Sequence, residues 1–130
     1  MTNILQMKKL FFLLLFSVGL SSSLFAQVRF ITVHELEPLL DESLLLIDAR
    51  TDLEYDQGYI PGAVNINLYS KSFEQQVNEY DRNRPVYLYC RTGHRSVTAA
   101  DKLISMGFRE VYSLEGGMMR WQRARKPVIY

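Results

Sequence analysis

The chain has 130 residues, 48% of them hydrophobic, and a formal net charge of +1. That length suits one small domain and leaves no room for two. Fifteen basic residues against 14 acidic ones make no basic field able to hold nucleic acid, so any anion binding has to be local.

Lys8 and Lys9 form a short basic region, and Leu10 to Leu20 is an apolar run with the length of a signal-peptide core. Ser21 to Ser23 then lead to Leu24-Phe25-Ala26, a cleavage pattern before Gln27. The run is shorter and richer in serine than the roughly 20 apolar residues of a spanning helix. Residues 1–26 are therefore expected to be a signal peptide and residues 27–130 the mature domain. The expected address is periplasmic or extracellular, without stable membrane insertion after cleavage; a retained anchor is the alternative. Removal of residues 1–26 takes away two lysines and no acid, leaving 13 basic against 14 acidic residues.

Beyond that segment, short apolar runs alternate with helical patterns, the signature of βαβ units and a mainly parallel sheet. Val28 to Ile31 is a first strand. Thr32 and Glu35 have the spacing of a capping box and start a helix through about Leu40. Leu44 to Ile47 is apolar at every position, as a strand buried on both faces requires, and ends in Asp48-Ala49-Arg50. Residues 51–57 are polar and suit a short helical turn, Gly58 to Gly62 a turn, and Ala63 to Ile66 a brief strand. Ser70 to Tyr80 has the pattern of a surface helix, broken by Asp81 to Pro85. Val86 to Tyr89 is the clearest strand in the chain. Residues 91–95 carry no apolar side chain. Ser96 is expected to cap a helix with Val97, Ala100, Leu103 and Ile104 on one face, stopped at Gly107. Val111 to Leu114 is a last strand, Gly116-Gly117 a turn, and Met118 to Ala124 a closing helix.

Cys90 is the only cysteine, so no internal disulfide forms. Exported domains normally use cysteines in pairs. A lone thiol is either a buried, inert side chain or one retained for its reactivity. The surroundings favour reactivity: Cys90 falls at the carboxyl end of a central strand, and a helix begins a few residues later. Sites in open α/β sheets gather at that edge, where a helix N-terminus offers unpaired N–H groups and a partial positive charge. A loop over Cys90-Arg91-Thr92-Gly93-His94-Arg95-Ser96 would turn several amides towards the sulfur, with Gly93 relaxing the backbone. The helix end and the two arginines favour the thiolate, which is the nucleophile.

This loop resembles the active-site loop of single-domain rhodaneses. Asp48-Ala49-Arg50 with Glu54-Tyr55 and Gly58-Tyr59-Ile60-Pro61-Gly62-Ala63 is similar to the family's first signature. Leu114-Glu115-Gly116-Gly117 with Trp121 and Pro127-Val128 is similar to its C-terminal one. The resemblance spans about residues 30–128. One departure is visible, because the family usually has His where this chain has Tyr59. The resemblance implies an α/β, three-layer fold: a five-stranded, mainly parallel sheet with helices on both faces. It implies a sulfurtransferase in which Cys90 attacks thiosulfate or a similar small anionic donor and carries its sulfur as a persulfide. The sulfur then passes to cyanide or a thiol, and no metal or organic cofactor is required.

Several roles stay open on sequence alone. Arg91 and Arg95 attract the anionic donor or are solvated charges. His94 is a donor to substrate, a general acid or a loop residue without a role. Thr92 and Ser96 offer hydroxyls to a persulfide or satisfy backbone groups. Arg50 assists the donor or pairs with Asp52 or Glu54. His34, with His94 and one cysteine, makes no metal site. Trp121 and the tyrosines are expected to pack. Two other functions compete with sulfur transfer. One is a non-enzymatic persulfide carrier or interaction module. The other is a phosphatase or arsenate reductase, disfavoured because Arg95 stands five positions after Cys90 where those enzymes use six. The oligomeric state is not legible.

Overall fold

Five parallel strands make one sheet in the computed structural model, which describes residues 3–9, 26–41 and 43–130. The strands are β1 (Val28–Ile31), β2 (Leu45–Asp48), β3 (Val64–Asn65), β4 (Val86–Tyr89) and β5 (Val111–Leu114), in the spatial order β1-β5-β4-β2-β3. Every pairing is parallel, because each connection carries a helix back across the sheet. The helices are α1 (Val33–Leu36), continued by a 3-10 turn over Glu37–Asp41, then α2 (Asp52–Asp56), α3 (Phe73–Val77), α4 (His94–Ser105) and α5 (Gly117–Arg123).

The two-residue period of the strands sorts their side chains into two cores. Leu45 and Ile47 of β2, Val86 and Leu88 of β4 and Val111 of β5 meet Phe73 and Val77 of α3 and Ala99, Ala100 and Leu103 of α4. On the opposite face, Ile31, Leu46, Tyr89 and Leu114 meet Val33 and Leu36 of α1 and Met118 and Trp121 of α5. The sheet is thus covered on both sides, which is the expected three-layer α/β arrangement. All four residues of β2 are buried, which explains the apolar run that leads up to Asp48. Trp121 is fully buried and its indole N–H donates to Pro127 O at 2.7 Å, so it packs as expected.

The Thr32 capping box forms as expected: Glu35 N donates to Thr32 Oγ1 at 3.3 Å, and Thr32 N to Glu35 at 2.9 Å. Other boundaries shift. The helix expected over residues 70–80 forms only at Phe73–Val77 and buries both of those side chains instead of lying on the surface. Before it, Ser72 N and Oγ both bond to Ser70 Oγ, a local hydroxyl turn that competes with helix. The expected strand over residues 63–66 is reduced to Val64–Asn65, a pairing at the sheet edge.

The signal-peptide reading falls mostly on residues 10–25, outside the described residues. Residues 4–9 are helical and exposed. Among the described residues, no helix is long and apolar enough to cross a membrane.

Candidate active site

β4 ends beneath the loop expected to carry the chemistry. It is the middle strand of five, so Cys90, one residue past its end, sits at the centre of the sheet's carboxyl edge. The side chain is 1% exposed. Residues 91–93 bend over it, Gly93 adopts φ +108°, and α4 starts at the next residue. That left-handed φ is why a glycine stands there. The curl brings Gly93 N–H to 3.1 Å from Cys90 Sγ, as a donor to sulfur. The first amides of α4 have no partners within their own helix and add positive potential on the same side.

Ser96 takes a different position from the one expected. The helix cap is Gly93, and Ser96 lies inside the first turn, fully buried. Its place follows from spacing: Ser96, Ala99, Ala100 and Leu103 form the buried stripe of α4. The Cys90 thiol donates to Ser96 Oγ at 3.5 Å, and Ser96 donates to Gly93 O at 3.2 Å. Ser113 Oγ, from β5, lies 2.7 Å from Ser96 Oγ.

The loop is held from below by the turn after β5. Met118 N donates to Cys90 O at 2.8 Å and Met119 N to Arg91 O at 3.0 Å. Gly116 and Gly117 both have left-handed φ, +74° and +56°. A Cβ on Gly117 would collide with the Cys90 carbonyl oxygen and come within 2.7 Å of the Arg91 carbonyl. The glycine pair is therefore demanded by the close approach of two backbones.

The arginines separate into three situations. Arg95 is half-buried and makes two parallel bonds to Glu54 of α2, at 2.7 and 2.8 Å. This guanidinium is the main reason the Glu54 carboxyl falls from an ordinary 4.5 to about 2, with Thr51 of the α2 capping box adding to it. Arg50 is buried and clasps Asp48 at 2.7 Å, not Asp52 or Glu54 as expected, and donates to Gly58 O at 2.7 Å. The reason is geometric: Asp48 and Arg50 lie two apart as the chain leaves β2, where a fully buried carboxylate needs a neutralising partner. The Arg50 guanidinium also lies 5.6 Å from the centre of the Tyr89 ring. Arg91 is exposed, without an ion pair or hydrogen bond to its side chain among the described residues. With Arg50, Met118, Met119 and Gln122 it lines a polar cleft of about 350 Å³ beside the loop.

Thr92 and His94 are exposed at the loop's outer surface, and among the described residues neither side chain hydrogen-bonds to the sulfur. Both line a second hollow of about 500 Å³ with Phe30, Val97 and Arg120. His34 is exposed on α1, which follows β1, the outermost strand of the sheet.

The segment that carries this thiol, the central strand and the curled loop matches a known protein family. The family described as the rhodanese-like domain matches residues 32–124. The chain belongs to the rhodanese family.

Proteins similar to this rhodanese include one of Allochromatium vinosum named sulfurtransferase, 35% identical over 68% of this chain and 80% of that one. Another is the thiosulfate sulfurtransferase GlpE of Shewanella oneidensis, 31% identical over 74% of this chain and 94% of its own length. Among solved structures, a rhodanese-like domain protein from Staphylococcus aureus is 34% identical and superposes with a TM-score of 0.64, covering 72% of this chain and 90% of that one. These similarities support sulfur transfer as the general activity.

Within the rhodanese frame, Tyr59 stacks on Tyr55, with ring centres 4.1 Å apart and planes 11° from parallel. Its backbone pairs with Ile129 in both directions at 2.9 Å. Its visible work is thus to pack the Gly58 turn under the C-terminal segment.

Sequence reasoning passed over Ser113, Glu54's partner and Gly117's contact. Ser113 carried a faint signal: it shares strand parity with the inward-facing Val111, so a polar residue there had to be buried. The other two relationships join distant segments and leave no local trace.

Proposed function

We propose that this rhodanese moves sulfane sulfur from thiosulfate, or a similar small anion, to cyanide or a thiol through a persulfide on Cys90. The observation that carries the reading is the convergence of Gly93 N–H and the Ser96 hydroxyl on a sulfur at the start of α4. In the first step the Cys90 thiolate attacks the outer sulfur of thiosulfate. An Sγ–S bond forms, the S–S bond of the donor breaks, and sulfite leaves with the bonding pair. In the second step cyanide or a thiolate attacks the outer sulfur of the persulfide. Its bond to that sulfur forms, and Cys90 leaves as the thiolate with the bonding pair.

In this reading the exposed Arg91 attracts the anionic donor, and Arg50 lines the same cleft with its charge partly committed to Asp48. Arg95, committed to Glu54, serves to position the loop. We also take residues 27–130 as a domain exported to the periplasm or beyond, a reading that rests on the sequence of residues 1–26.

The test is intact mass before and after thiosulfate, with Cys90→Ser alongside. The wild type is expected to gain about 32 Da, the mass of one sulfur, and to lose it to cyanide with thiocyanate formed. Cys90→Ser should stay folded and gain nothing. No gain on reduced, folded wild type would remove thiosulfate as donor.

A further inference from the structure

We infer that Ser113 is a positioning residue for Cys90: its buried hydroxyl donates to Ser96, strengthens the hydrogen bond that Ser96 gives an ionised sulfur, and so favours the anionic, reactive form. The inference deepens the proposed function, on whose nucleophile it rests.

Ser96 and Ser113 are misplaced by the ordinary logic of a core. Ser96 occupies the first position of the apolar stripe of α4, ahead of Ala99, Ala100 and Leu103. Ser113 continues the inward face of β5 begun by Val111, opposite α4. Both are 1% exposed or less. A buried hydroxyl is costly unless it is hydrogen-bonded, and these two satisfy each other at 2.7 Å. Their meeting point is next to the one cysteine of the chain.

The proton inventory gives the pair a direction. Ser96 Oγ has two lone pairs and one proton. With a neutral thiol, it accepts from Cys90 and from Ser113, and donates to Gly93 O. When the thiol proton is lost to a base in solvent, the sulfur becomes an acceptor. The Ser96 proton then turns from Gly93 O to the sulfur, which also holds the Gly93 N–H. Ser113 goes on donating to Ser96 throughout. A hydroxyl that accepts one hydrogen bond donates a stronger one, so the chain Ser113 to Ser96 to Cys90 polarises towards the anion.

The charged and titratable groups around the loop are Arg91, His94 and Arg95, Glu54 on α2, Asp48 at the end of β2 and Arg50 after it, Glu115 after β5, and Arg120 on α5. A substitution at Ser113 changes none of them.

The experiment follows the rate of Cys90 alkylation by iodoacetamide against pH, from about pH 5 to 9, by intact mass. Ser113→Ala is expected to move the half-rise of that curve upwards and to slow alkylation at neutral pH about twofold. Ser113→Thr, which keeps the hydroxyl, should follow wild type, and Ser113→Val, close to Thr in shape, should follow Ala. The Thr and Val pair decides the matter if Ala folds poorly. Mere loosening of the core would expose the sulfur and speed alkylation. Equal or faster alkylation in the Ala and Val variants, or a Thr variant as slow as they are, overturns the inference. Because alkylation needs no sulfur donor, the result stands whether or not thiosulfate loads the wild type.

Discussion

Glu54 and Arg95 face each other as a fork on a fork, 41 residues apart in sequence, with their two hydrogen bonds at 2.7 and 2.8 Å. The pair ties α2 to the first turn of α4, one residue before the Ser96 that touches the sulfur. Glu54 Oε1 also accepts from the backbone N–H and the hydroxyl of Thr51.

Glu54→Gln is therefore expected to lower stability at neutral pH by about 1 kcal/mol, a modest figure because the pair is only half-buried. The folded carboxyl titrates near 2, against an ordinary 4.5. Its contribution is thus complete above 4.5 and is lost as pH falls towards 2. Urea unfolding of wild type and variant should show a gap at neutral pH that shrinks steadily in this acid window. A gap independent of pH would mean that the ion pair does not stabilise the fold. Sulfur uptake should slow as well, because Arg95 loses its anchor.

Gly117→Ala should be the most damaging small substitution on this edge. The added methyl meets the Cys90 and Arg91 carbonyls, and the φ of +56° is unfavourable for alanine. A loss of about 3 kcal/mol in unfolding free energy is expected, together with a marked fall in persulfide formation. A variant of wild-type stability and activity would show that the turn after β5 can move away without disturbing the loop.

Arg91→Ala should do the reverse, leaving stability within about 0.5 kcal/mol of wild type. Its effect belongs on the encounter with an anionic donor, raising the KM for thiosulfate on the order of threefold to tenfold. Added salt should narrow that difference, since exposed charges are screened. An unchanged KM at low ionic strength would remove Arg91 from the route of entry.

Most of the frame was legible from the chain because its causes are local. The unbroken apolar run of β2 and the Val86–Tyr89 strand announced a buried parallel sheet. The polar gap after Cys90, followed by the α4 stripe, announced a loop over a helix start. The boundaries that moved did so where short-range chemistry competed with periodicity, as the hydroxyls of Ser70 and Ser72 do before α3. Ser96 illustrates the harder case. Its residue type is a common helix cap, but its register with Ala99, Ala100 and Leu103 carries it inside the helix and into the core. What escaped detection was relational: Asp48 outcompetes Asp52 and Glu54 for Arg50 because burial raises the need for a counter-charge. The meeting of Glu54 with Arg95 depends on how two helices stand on the sheet, which no window of sequence records.

The single buried thiol has a consequence for how a turnover must end. Many sulfur and disulfide relays are cleared by a second cysteine on the same chain, at a rate independent of concentration. None of the other residues here is a cysteine, so under the proposed mechanism a sulfur loaded on Cys90 would have no second cysteine in this sequence to receive it. Unloading would then be bimolecular, waiting for an outside nucleophile to reach a sulfur set under a curled loop. The lifetime of the loaded form would therefore report the supply of acceptor, and the same protein would act as a store when acceptors are scarce and as a fast transferase when they are plentiful.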